Sequence, residues 1–178
     1  MSDFMQALVI GGSIFVAMLF TGLGRRALTV RSVVRPLVIV GIFAVIYLKD
    51  APTATGGEWG LYAVGVALGL VFGGIAALLT KVERDADTGA VVTVAGAGFA
   101  VTWFVALASR LVFVWAVTDV PAFRDQVGIF MMGHQIEQSA IAPFFVIWAL
   151  TMVVARVAAI QTRARRLPAA AAAPLVAA

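Results

Sequence analysis

The chain has 178 residues, 62% of them hydrophobic and only 12% charged, with a net charge of +4, one histidine and no cysteine. A soluble domain carries about a quarter charged residues, so this composition excludes an ordinary water-facing surface. The missing cysteines exclude disulfides, thiolate metal sites and thiol redox chemistry. The basic residues sit at the ends of apolar runs, which is a topology signal and not a nucleic-acid patch.

The first apolar run covers residues 4–23. It follows Asp3 with no preceding Lys or Arg, whereas a cleaved signal peptide starts with positive charge, so a retained span is expected. Gly11, Gly12 and Ser13 give it a small face for close helix approach. Gly22-Leu23-Gly24 and Arg25-Arg26 then stop it at a surface.

A second run, residues 37–48, is preceded by Arg31, Arg35 and Pro36. Its uninterrupted part is shorter than the roughly 20 residues a bilayer needs. A span with basic residues snorkelling at its inner end is expected, the alternative being a re-entrant or surface helix. Residues 49–58, with Asp50, Pro52 and Gly56-Gly57, read as a loop.

The third span is expected over residues 59–79, with Trp59 and Tyr62 placed for an interfacial aromatic belt. Gly65, Gly69, Gly73 and Ala77 put a small residue at every fourth position, one stripe along one face. Packing within the chain or self-association would both use it.

After it, Lys81 to Thr93 predicts a short hairpin. Asp87-Thr-Gly89 has turn chemistry, and Val91, Val92 and Thr93 favour an extended return. Glu83, Arg84 and Asp85 are expected to be solvated, and Asp85 with Asp87 offers too few oxygens for a calcium loop.

Residues 97–117 predict a fourth span containing Arg110, and residues 118–126 a loop. Residues 127–160 are too long for one straight span and divide near Gly133-His-Gln-Ile-Glu-Gln138. The first part reads as an interfacial helix or an extra turn leading into the fifth span. Arg163, Arg165 and Arg166 end that span, and the Ala/Pro tail, 168–178, is expected to be disordered.

The expected fold is therefore all-α: a polytopic helical membrane protein of about five transmembrane helices with a short hairpin-like cytoplasmic loop. It forms one domain over 1–167. The inner-end arginines and lysines place the N-terminus outside and the C-terminus in the cytoplasm of a cell membrane. The lipid bilayer is the expected environment, with no nucleic-acid partner.

Gly65-Val-Ala-Leu-Gly-Leu-Val-Phe-Gly-Gly, Val82-Glu-Arg-Asp, Asp87-Thr-Gly-Ala-Val-Val and the later Trp103 with Ser109-Arg110 resemble the CcdC-like membrane family, DUF1453. The resemblance covers about a third of the chain. It implies a small multi-spanning membrane protein and no established reaction. The family's name points to cytochrome c biogenesis, but a chain without thiols and with one histidine gives no support for thiol transfer.

Arg110 is the most informative single residue, because a central membrane arginine costs at least about 2.5 kcal/mol on insertion scales. Glu137 is its expected neighbour, with His134 and Gln138 close by. These four form a candidate binding site for an anion, a lipid headgroup or a proton; the alternatives are a structural ion pair or an outward-snorkelling arginine. His134 with Met131 and Met132 makes a weak copper set, and interfacial packing fits it better. No Ser-His-Asp, His-x-x-His, Walker or dinucleotide motif is present.

No cofactor is expected. The leading expectation is a non-enzymatic accessory or assembly module packing through the glycine stripe, on itself or on a membrane protein partner. The alternatives are a small transporter or lipid- and anion-binding protein around Arg110 and Glu137, and then a membrane enzyme acting on a lipid.

Overall fold

The computed structural model describes residues 24–86 and 88–168. The expected first span with its glycines, Asp87 and all but the first residue of the Ala/Pro tail lie outside these. The described chain is mostly helical: α1 is Val30–Leu48, α2 Gly56–Leu78, α3 Ala97–Asp119, α4 Pro121–Gly133 and α5 Ile141–Arg166, the last preceded by a 3-10 turn over Gln138–Ala140. Three of these are long and apolar enough to cross a membrane: Gly56–Leu78, Ala97–Asp119 and Gln138–Arg166.

α2 starts earlier than residue 59 because Thr55 and Glu58 form a capping box. Thr55 Oγ1 accepts from the Glu58 amide, and Glu58 Oε2 accepts from the Thr55 amide. At its other end, Thr80 Oγ1 donates to Ala76 O at 2.8 Å and Arg163 Nη1 to Ala77 O at 2.7 Å. Carbonyls that a helix end leaves without partners are thus satisfied inside the protein.

The glycine stripe is the seam of the fold. α2 and α5 form its most extensive helix pair. A Cβ at Gly65 would stand 3.1 Å from Phe144 O, one at Gly69 2.7 Å from Trp148 O, and one at Gly73 2.5 Å from Met152 O. Only a hydrogen at these positions lets the two backbones lie this close. Against this pair packs a core of Ala76, Ala95, Phe99, Trp103, Met152 and Val153, with Leu37 of α1 at its margin.

The hairpin is one strand larger than expected. β1 (Gly24–Ala27), β2 (Thr80–Arg84) and β3 (Val91–Ala95) form an antiparallel sheet in the order β1-β3-β2. Gly24 and Arg25, read as a helix stop, pair instead with Ala95 and Val94. Charged residues on both outer strands discourage further edge pairing.

Nor are the turn residues simply solvated. Asp85 accepts from Thr88 through both its amide and its hydroxyl at 3.0 Å, and Arg25 Nη2 approaches it at 2.8 Å. Arg84 is half-buried and donates to Gly89 O and Pro168 O. Gly89 has φ +67°, a left-handed position that favours glycine.

The expected loop over 118–126 is also corrected, since helix α4 begins at Pro121. Proline fits a first helical position because the missing N–H has no acceptor there in any case. The break near residue 133 is real: α4 ends at Gly133, and Gln135 takes φ +54°.

Outward faces of the long helices are apolar. Val64, Val66, Leu70, Val71, Ile75 and Leu78 of α2, with Val101, Phe104, Val105, Val112 and Trp115 of α3, are exposed large side chains. Hydroxyls on α3 bond back to its own carbonyls: Thr102 to Gly98 O, Ser109 to Ala106 O and Thr118 to Val114 O.

Candidate functional site

α4 leaves α3 at Val120 and packs back against it, and a cavity of about 320 Å³ lies between α4 and the first turns of α5. Leu61, Ser109, Phe113, Met131, Phe145 and Trp148 contribute to its wall. The volume lies at the low end of small-ligand pockets. Aromatic contacts fix that wall, since Phe113 meets Phe123 at 6.0 Å and Phe145 at 5.5 Å between ring centroids, and Phe145 stacks on Trp148 at 6.1 Å. Rings held edge-on and offset like this resist rotation, so the cavity does not collapse freely.

The lining is almost wholly apolar. Ser109 spends its hydroxyl on Ala106 O, and Trp148 Nε1 is buried without a hydrogen-bond partner among the described residues. Arg110 follows Ser109 and places its guanidinium 5.5 Å from the centroid of Phe145, one of the wall rings. A cation beside an apolar cavity is suited to an amphiphile with an anionic head.

The four residues expected to form one polar site share no hydrogen bond or ion pair with one another among the described residues. No ion pair joins Arg110 and Glu137 among the described residues. Glu137 instead accepts from Ser139 Oγ at 2.9 Å, and Gln138 is exposed at the start of the 3-10 turn. His134 follows α4, with Nδ1 2.9 Å from Phe130 O and its ring 4.3 Å from the Phe130 ring. Met131 lines the cavity while Met132 is exposed, so the two thioethers do not converge with His134 on one point. Gly65, Gly69, Gly73 and Ala77 are all buried, and α5 covers the stripe, so no partner can use it without displacing α5.

Two charged residues escape a reading from sequence. Glu58 is fully buried, with Oε1 lacking a partner among the described residues. Its position at a span boundary suggests exposure, yet Thr55-x-x-Glu58 carries the capping-box signal. The second is Arg156, in mid-α5, half-buried and 4.2 Å above the centroid of Phe99. Its Nε is buried without a partner among the described residues. A cation over an aromatic face gains about 0.5–2 kcal/mol, whereas burying an ion costs several. An arginine flanked by Val153, Val154 and Val157 is the sequence signal, hidden by the arginine cluster two turns further on.

Comparison with family models, curated proteins and solved structures gives no match.

Proposed function

We propose that this chain is a multi-pass membrane protein, without catalytic machinery, that holds a single-chain anionic amphiphile in the cavity beneath α4. The cavity carries the reading: an apolar volume of about 320 Å³ with Arg110 against its wall. The alkyl chain lies among Phe113, Phe145 and Trp148, and Arg110 faces the head.

The membrane reading is supported by the exposed apolar faces of α2 and α3, which in water would form patches far beyond those of a soluble monomer. The sheet also supports counting α1 among the spans. β1 precedes α1 and β2 follows α2, yet both strands pair with β3. Residues 28–79 therefore return to the side they left, so if α2 crosses, α1 crosses too. With the run over residues 4–23 this gives five spans. The positive-inside rule puts Arg25, Arg26, Lys81, Arg84, Arg163, Arg165 and Arg166 in the cytoplasm of a cell membrane.

The test uses purified protein in a bulky steroid-based detergent, titrated with dodecyl phosphate and followed by thermal unfolding. Dodecyl phosphate should raise Tm more than uncharged dodecyl maltoside, and Arg110→Gln should remove that difference. Ser109→Trp, which fills the cavity, should abolish both shifts. Unchanged shifts in Ser109→Trp would overturn the reading.

A further inference from the structure

Away from the cavity, α5 carries a cation, Arg156, whose Nε has no hydrogen-bond partner among the described residues. Arg156 stands two turns before Arg163 on α5, about 10 Å of rise away. Arg163 has protein acceptors in Ala77 O and Thr80 O. Arg156 has the Phe99 ring at 4.2 Å and, among the described residues, no carboxylate within ion-pair distance.

The surrounding helices cannot supply one. α1 and α5 contain no Asp or Glu, and α2 and α3 carry theirs, Glu58 and Asp119, at the far end. At the near end, Glu83 and Asp85 lie 3.9 and 2.8 Å from Arg25.

A second donor contacts the same ring. Trp103 is buried, its indole 6.2 Å from Phe99, and its Nε1 has no hydrogen-bond partner among the described residues. Arg156 Nε and Trp103 Nε1 are thus two buried N–H donors, on side chains packed about one phenyl ring, that have no acceptor among the described residues. A negatively charged one answers both the charge and the hydrogen bonds.

We propose that Arg156 and Trp103, arranged about Phe99, bind a phosphate-bearing anion. The guanidinium presents a planar set of donors matched to phosphate oxygens, and the indole adds one more. Gly96 at the start of α3 supplies no side-chain cap to the first amides of the helix that carries Phe99 and Trp103. The phosphate belongs to a lipid headgroup of the inner leaflet or to a free phosphate compound. Only the lipid source depends on the membrane reading; the phosphate chemistry does not.

The experiment measures Tm of the purified full chain against short-chain phosphatidylglycerol, short-chain phosphatidylcholine and inorganic phosphate. At about a hundred times Kd, a bound anion should raise Tm by about 5 °C or more. Arg156→Gln should remove that shift, Arg156→Lys should retain part of it, and Trp103→Phe, which keeps a ring in the core, should reduce it. A purely structural role for either residue would lower the starting Tm and leave the anion-induced shift intact, which would overturn the proposal. An Arg156-dependent shift with phosphatidylglycerol alone assigns the site to lipid; one with inorganic phosphate as well assigns it to free phosphate. Arg110→Gln should leave the Arg156-dependent part untouched, so failure of the cavity reading is distinguishable from failure here.

Discussion

Arg163 Nη1 donates to the carbonyl oxygen of Ala77 at 2.7 Å, tying the last turns of α5 and α2 together across their seam. This charged donor joins the Leu79 amide at the Ala77 carbonyl, in the place where helix dipoles favour a cation. Arg163→Ala should cost about 1–3 kcal/mol, because it removes the charged donor from the carbonyl of a buried residue. Thermal unfolding in detergent measures it, and a parent-like Tm would mean that the Leu79 amide alone satisfies Ala77 O.

Gly69→Leu should be far more damaging than Leu70→Ala. A Cβ at Gly69 would lie 2.5 Å from Thr151 Cβ and 2.7 Å from Trp148 O, so α2 and α5 must separate. Overpacking of this kind costs about 1–3 kcal/mol even where side chains can yield, and here backbone is in the way. Leu70 is exposed, and its truncation should change stability little. Equal melting temperatures for the two variants would place the stripe elsewhere.

Single cysteines at Thr53 and Thr88 should label from opposite sides of the membrane. Both positions are exposed, one before α2 and one in the β2–β3 turn, and the chain has no native cysteine to confuse the signal. Labelling of both by an impermeant maleimide from one side would rule out a crossing by α2.

Arg110→Gln and Glu137→Gln should act additively in a double-mutant cycle. Independent sites add to within about 0.3–0.5 kcal/mol, whereas an ion pair would show coupling beyond that. Arg110 rests on Phe145 and Glu137 on Ser139 Oγ, so coupling is expected to be absent. A strong coupling energy would require the α4–α5 connection to rearrange.

Thr55→Ala should cost about 0.5–2 kcal/mol through the lost helix cap. Thr55 Oγ1 also donates to Gln135 O at 2.8 Å, so the loss should fall in the upper part of that range. Thr55→Ser, which keeps both bonds, should restore most of the Tm.

Features repeating along one helix were legible in the sequence, and those joining distant segments were not. The stripe from Gly65 to Ala77 shows itself through spacing alone, and so does the turn at Gly89. β1 does not, because Arg25 and Arg26 carry no sign of their partners Val94 and Thr93. The site was half visible: Arg110 stood out as a charge within an apolar run, but its ring partner Phe145 looks like any other core aromatic. Arg156 was obscured by the arginines at 163, 165 and 166, since a charge near a basic terminus reads as part of it.

The strand order β1-β3-β2 also has a bearing on how the chain is made. β1 leaves the ribosome early and cannot pair until β3 follows, after α1 and α2 have both been synthesised. The sheet therefore closes late, and only once those two helices have brought β2 and β3 back beside β1. A chain with one of them misplaced leaves Arg25 and Arg26 stranded from Val94 and Thr93, an unpaired strand open to proteases. The small sheet thus acts as a clasp that fastens only on a correctly threaded chain.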